Sequence, residues 1–160
     1  MLKRFRASNR HPANQLRGLG HWRRHAIAVQ PVVHGPVSRV RVSRTANLSN
    51  VVINTLGGSV DIGDYVFFGH DVMLLTGTHD FRETGPARLV ARQTLARSIV
   101  IEEGAWIATR AVIIGPCRIG RNAVVGSGCI VNFDIKPDTV VQLKQELTEH
   151  PIRYRDSYGH

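Results

Sequence analysis

Aliphatic residues recur at every sixth position through the second half of this chain. From Ile101 the step runs through Ile107, Ile113, Ile119, Val125 and Val131, all β-branched. Four residues after each come Ala105, Ala111, Cys117, Ala123, Cys129 and Ile135, small in five of six cases. An earlier block follows the same rule. Leu56, Ile62, Phe68 and Leu74 are its leads, with Val60, Val66, Val72 and Thr78 at the second position. The two blocks are out of phase, which predicts an insertion between Leu74 and Ile101.

A period of six fits no α-helix, whose apolar face turns every 3.6 residues. It fits a short strand and a turn repeated on each side of a prism. The aliphatic lead points inward, and the small residue sits where the chain turns inside. Three sides make a coil of about 18 residues, and stacked coils bond as parallel strands about 4.8 Å apart. The repeat therefore predicts Ile101 stacked on Ile119, Ile107 on Val125 and Ile113 on Val131.

The two cysteines fall in small inward slots on different sides of the prism, so they read as packed free thiols. They are too few for a disulfide scaffold, and no CxxC or Cys/His cluster suggests a metal site.

Charge divides the chain. Residues 1–44 hold ten Lys/Arg and no Asp or Glu, whereas the remainder holds eleven basic and twelve acidic residues. The expected organisation is a basic N-terminal segment, 1–44, a β-helix over 45–142 with an inserted loop 80–98, and a tail, 143–160. The basic segment, with Trp22, Arg23 and Arg24, suits either packing and solubility or contact with an anionic glycan or membrane surface. It carries no recognisable nucleic-acid motif. No apolar run approaches the roughly 18 residues of a membrane span, and no secretory signal is legible. A cytoplasmic protein is the expectation.

His79 stands where the rhythm breaks. After it, Asp80–Ser98 has no six-residue period and carries Arg82, Arg88, Arg92 and Arg97. Irregular segments on rigid scaffolds are common places for chemistry. An imidazole there suits proton exchange at neutral pH, or else merely caps a turn. Asp80 is a poor orienting group for it, since neighbours on an extended segment point opposite ways.

The stretches Ile62-Gly63-Asp64-Tyr65-Val66-Phe67, Leu74-Leu75-Thr76-Gly77-Thr78-His79-Asp80, Ile101-Glu102-Glu103-Gly104-Ala105-Trp106-Ile107 and Ile119-Gly120-Arg121-Asn122-Ala123-Val124-Val125-Gly126-Ser127-Gly128 carry a resemblance. Over roughly half its length the chain resembles the hexapeptide-repeat acyltransferases, in particular their galactoside, maltose and polysaccharide O-acetyltransferase branch. The resemblance implies an all-β, left-handed parallel β-helix, an exception to the right-handed crossover rule. It implies transfer of acetyl from acetyl-coenzyme A to a carbohydrate hydroxyl, with His79 as general base and no covalent acyl-enzyme.

By the same resemblance Trp106 lies along the coenzyme's pantetheine arm, and Ala108, Gly126 and Ser127 line the coenzyme groove. An asparagine near the acceptor is implied, either Asn54 or Asn50, with Asn54 preferred. A homotrimer with sites between subunits is also implied.

The chain departs from the family at its end. Asn132-Phe133-Asp134 replaces a threonine-lysine-aspartate motif, and Val141-Gln142-Leu143-Lys144 stands where a coenzyme-holding stretch belongs. A non-catalytic β-helix that binds a partner is the alternative this leaves. Some proteins with this helix bind zinc through three histidines. His34, His70 and His79 are the candidates, but the close pair five residues apart that such sites use is missing, so no metal is expected.

Overall fold

The computed structural model describes residues 30–91 and 96–144. Thirteen short strands follow one another among the described residues. They are β1 (Val32–His34), β2 (Val40–Val42), β3 (Val52–Asn54), β4 (Val60–Ile62), β5 (Phe67–Phe68), β6 (Met73–Leu75), β7 (Ile99–Ile101), β8 (Trp106–Ile107), β9 (Val112–Ile114), β10 (Cys117–Ile119), β11 (Val124–Val125), β12 (Ile130–Val131) and β13 (Val140–Val141). Every pairing is parallel. Face I is ordered β1-β3-β6-β9-β12, face II β2-β4-β7-β10 and face III β5-β8-β11-β13. The chain visits the faces in turn, so each circuit adds one rung to all three. The result is a triangular parallel β-helix.

The predicted stacking holds: Ile101 pairs with Ile119, Ile107 with Val125, and Ile113 with Val131. All six leads from Ile101 onward are buried, as are the small residues at the fixed offset. Cys117 and Cys129 are buried free thiols, one in β10 on face II and the other entering face I. Burial pushes the Cys117 thiol up to about 11, with the Asp134 charge adding to the effect.

Corners are what permit a coil this tight. At the corner between faces II and III, Tyr65, Gly104, Asn122 and Asp138 all take positive φ. Ser49, Asp71, Arg110 and Gly128 do so between faces III and I. Each coil thus spends one left-handed residue per corner of this kind, a conformation that non-glycine residues adopt only where surroundings compensate. Asn122 does so by donating its side-chain amide to Asp138 Oδ1 at 3.0 Å.

Two expectations need correction. Leu56 is not an inward lead: it lies on the surface, and Ile53 takes the inward place, stacked beneath Leu74. The coil from β3 to β4 carries extra residues at its corner, so the six-residue step slips there. The β-helix also begins before residue 45. Strands β1 and β2 pair with β3 and β4, so the first coil is built from the end of the basic segment. Arg39 donates to the Thr55 carbonyl at 2.9 Å, and Arg41 pairs with Asp61. Trp22, Arg23, Arg24, Arg92 and most of the tail lie outside the described residues.

The three outer faces differ. Face II carries the row Arg41, Asp61, Val100, Arg118. Face I carries Val32, Val52, Met73, Val112 and Ile130, and face III carries Phe67, Trp106, Val124 and Val140. One outer row on face I and one on face III are therefore apolar, although face I also carries His34 and Asn54 in its second outward row.

Candidate active site

The insertion leaves the corner between faces I and II, directly after β6. The corner is a polar knot around Thr76, which is fully buried. Its hydroxyl donates to the Asn54 carbonyl at 2.8 Å and accepts from the Gly57 N–H at 3.1 Å. Arg97 closes the far end of the insertion onto the same knot. Its Nε donates to the Thr76 carbonyl at 2.9 Å, and its backbone N–H donates to the Gly57 carbonyl at 3.2 Å. The loop is thus fixed at both ends, and its residues 81–90 are all exposed.

Asn54 belongs to this knot. Its Oδ1 accepts from the backbone N–H of Leu56 at 3.0 Å and of Gly77 at 3.1 Å. Since both partners are donors, the amide oxygen faces them and the NH2 lies on the other side. That NH2 has no partner among the described residues. Asn50 differs: its Nδ2 donates to Asp71 Oδ1 and its Oδ1 accepts the Asp71 N–H, at the opposite corner of face I. Of the two asparagines, Asn54 is the one beside the insertion.

Gly77 is distinguished by its close approach to the Asn54 side chain rather than by φ. A Cβ there would come within 2.6 Å of Asn54 Oδ1. His79 follows two residues later and is exposed. Its Nδ1 lies 2.9 Å from the carbonyl oxygen of Arg88. A carbonyl only accepts, so Nδ1 carries the hydrogen and the neutral ring has its lone pair on Nε2.

The loop doubles back to deliver that carbonyl. The Asp80 N–H donates to Ala91 O at 3.1 Å, and the short helix α1 (Gly85–Val90) fills the turn between them. The expectation of an irregular segment is therefore amended by this one helical turn and a half. Asp80 takes no part in holding the imidazole. Its carboxylate accepts from Arg82 Nε and Nη2 at 2.9 and 2.6 Å, and from the Arg82 N–H. That guanidinium holds the Asp80 carboxyl down to about 2, with the backbone bond adding to it.

Trp106, Ala108, Gly126 and Ser127 gather elsewhere. Trp106 stands outward on face III; Ala108 and Gly126 follow β8 and β11 into the corner between faces III and I, with Ser127 beside them. The Ala108 N–H bonds to Val125 O at 2.8 Å and the Gly126 N–H to Val141 O at 2.7 Å. Phe67, not singled out by the sequence, stacks on Trp106 with ring centroids 5.6 Å apart and planes 14° from parallel. Each ring immediately precedes an inward lead, Phe68 or Ile107, and the pairing of β5 with β8 sets the two on neighbouring coils.

Within one chain these four residues and the pair His79 and Asn54 occupy opposite edges of face I. They do not converge. Nor do the three histidines weighed for zinc: among the described residues, no group of three or more His, Cys, Asp or Glu is placed to hold a metal ion. No described helix is long and apolar enough to cross a membrane.

Comparison with known proteins matches residues 98–132 to the family model of the bacterial transferase hexapeptide (six repeats). The chain is 34% identical over 84 residues to the galactoside O-acetyltransferase of Lactococcus lactis subsp. lactis (strain IL1403), covering 50% of this chain and 37% of that protein. It is 31% identical over 116 residues to the galactoside O-acetyltransferase of Escherichia coli (strain K12), covering 69% and 53%. The chain thus spans about half or less of the length of these relatives. Serine acetyltransferase 1 of Entamoeba histolytica, solved with L-cysteine, superposes with a TM-score of 0.57 at 18% identity, over 72% of this chain and 40% of that one. That likeness concerns the fold alone, the hexapeptide-repeat left-handed β-helix.

Proposed function

We propose that this chain, built on the bacterial transferase hexapeptide, is an acetyltransferase that moves acetyl from acetyl-coenzyme A to a carbohydrate hydroxyl, with His79 as general base. The observation that carries the reading is the His79 Nδ1 contact with the Arg88 carbonyl. It puts the basic lone pair on Nε2, the nitrogen left over for an acceptor. The acceptor hydroxyl gives its proton to Nε2 as its oxygen attacks the thioester carbonyl. The C–S bond then breaks, and the imidazolium returns the proton to the departing sulfur. Asn54 Nδ2 is the nearby candidate donor to acceptor or oxyanion.

The placement of Trp106, Ala108, Gly126 and Ser127 across face I from His79 suits a site completed by a second copy. The apolar outer rows of faces I and III, beside the charged row of face II, suit a homotrimer that buries the former two. In that arrangement Trp106 contacts the pantetheine arm of a coenzyme lying in the groove between subunits. The galactoside O-acetyltransferase relatives favour a sugar hydroxyl over other acceptors.

The test is acetyl-coenzyme A with a panel of sugar acceptors, following free-thiol release. His79→Ala should lower turnover roughly 10²- to 10⁴-fold, the usual contribution of a positioned base. An undiminished rate would end the reading. A non-catalytic binding protein is distinguished by thermal shift, since a bound acetyl-coenzyme A raises the apparent stability by mass action. Trp106→Ala should raise KM for the coenzyme far more than it lowers kcat.

A further inference from the structure

From the geometry of the insertion we infer that the Arg88 side chain is a positioning residue for His79. The inference rests on the reading of His79 as base and deepens it. Arg88 meets the imidazole only through its main chain, by the 2.9 Å contact of its carbonyl with Nδ1. Such a contact is no better than the backbone that presents it. This backbone sits in a helix of six residues, without a side-chain cap and without a buried residue. Nothing in the core holds it.

Beyond its own helical bonds and the Asp80 N–H bond to the Ala91 carbonyl, what holds it is the Arg88 guanidinium. Nε donates to the Glu83 carbonyl at 2.5 Å, and Nη2 donates to the Phe81 carbonyl at 3.0 Å. These two bonds reach back across the loop to the residues just after His79, closing a ring of contacts from the imidazole to the carbonyl and home again. The planar fork suits two acceptors at once. The neighbouring cation, Arg82, is occupied elsewhere, in its ion pair with Asp80. Glu83 meets Arg88 through its backbone oxygen.

The mechanism predicts a tautomer effect. With the Arg88 carbonyl in place, the neutral ring carries its hydrogen on Nδ1. Without it, the ring reverts to the Nε2–H form that a free imidazole favours. That form presents a hydrogen, not a lone pair, to the acceptor. Removing the guanidinium therefore impairs the base without touching the imidazole or the coenzyme groove.

The experiment compares wild type, Arg88→Ala and Arg88→Lys by steady-state kinetics with acetyl-coenzyme A and the best sugar acceptor, and by nitrogen-15 NMR of the His79 ring. Arg88→Ala should lower kcat roughly ten- to a hundredfold, the range expected for a small misplacement of a catalytic group. KM for acetyl-coenzyme A should stay within about twofold, melting temperature should be unchanged, and the ring nitrogens should report the Nε2–H form. Arg88→Lys, which keeps a single cationic nitrogen in place of the two-nitrogen fork, should recover part of both signals. Wild-type kcat together with a wild-type Nδ1–H signature in Arg88→Ala would overturn the inference. Should His79→Ala retain full activity, the base reading falls on its own, while the NMR signature still decides whether Arg88 sets the ring.

Discussion

Asn54 reaches across one coil to fix Gly77: its Oδ1 accepts the Gly77 N–H at 3.1 Å, two residues before His79. The same oxygen accepts the Leu56 N–H, so one side chain ties the corner of one coil to the start of the insertion in the next. The side chain placed near the acceptor by family resemblance is thus also a structural tie.

Asn54→Ala leaves two backbone N–H groups at a half-buried corner without their acceptor, at a cost of about 1–3 kcal/mol each if water does not replace it. Denaturant unfolding should register the loss, and kcat should fall with it. Asn54→Asp keeps the acceptor oxygen and removes the NH2. It should therefore hold most of the stability while losing any contribution of Nδ2 to turnover. Wild-type turnover in Asn54→Asp, with Asn54→Ala impaired, would mean that Asn54 acts through the corner alone.

The register makes a sharp contrast between Ile107 and Leu56. Ile107 is fully buried inside the prism, and Ile107→Ala should cost about 2–5 kcal/mol in urea unfolding. The period alone gives Leu56 the same inward role, yet it lies on the surface. Leu56→Ala should cost well under about 1 kcal/mol.

The apolar outer row of face I offers a test of self-association. Ile130, more than two-thirds exposed, stands in the row headed by Val32. Ile130→Glu should shift light-scattering mass from trimer toward monomer, because a desolvated charge opposes burial of that face. Arg41→Ala, on face II, should leave the mass unchanged. A monomeric wild type would dispose of the trimer.

Acid should loosen the insertion before the helix. Asp80 in the folded loop sits at about 2, against an ordinary value of 3.8, chiefly through Arg82. A depressed folded value means that its contribution is present above about pH 4 and is lost as pH falls toward 2. The protection of the amides of residues 80–91 against hydrogen exchange, relative to an unstructured peptide at the same pH, should fall across that window in wild type. In Asp80→Asn the same amides should show low protection at both ends of it.

Much of this molecule was legible because a hexapeptide repeat is a local code. An inward residue every sixth position, with a small one four later, dictates which side chains meet when coils stack, whatever the rest of the chain does. So Ile101 through Val131, the two inward cysteines and the break after Leu74 could be read from order alone. The code failed at Leu56, where extra residues at one corner shifted the phase, and in the first coil, whose strands β1 and β2 do not follow the six-residue step.

By itself, then, the sequence determined the period, the inward set, the place of the insertion and the histidine that opens it. Tertiary structure alone decided what that histidine touches. A carbonyl is present at every residue and has no signature in the sequence, so the partner of His79 could be found only once the loop had closed on itself and brought Arg88 to the ring. Asp80 is committed instead to Arg82, two residues on, by a local turn, since neighbours such as His79 and Asp80 point opposite ways along an extended chain.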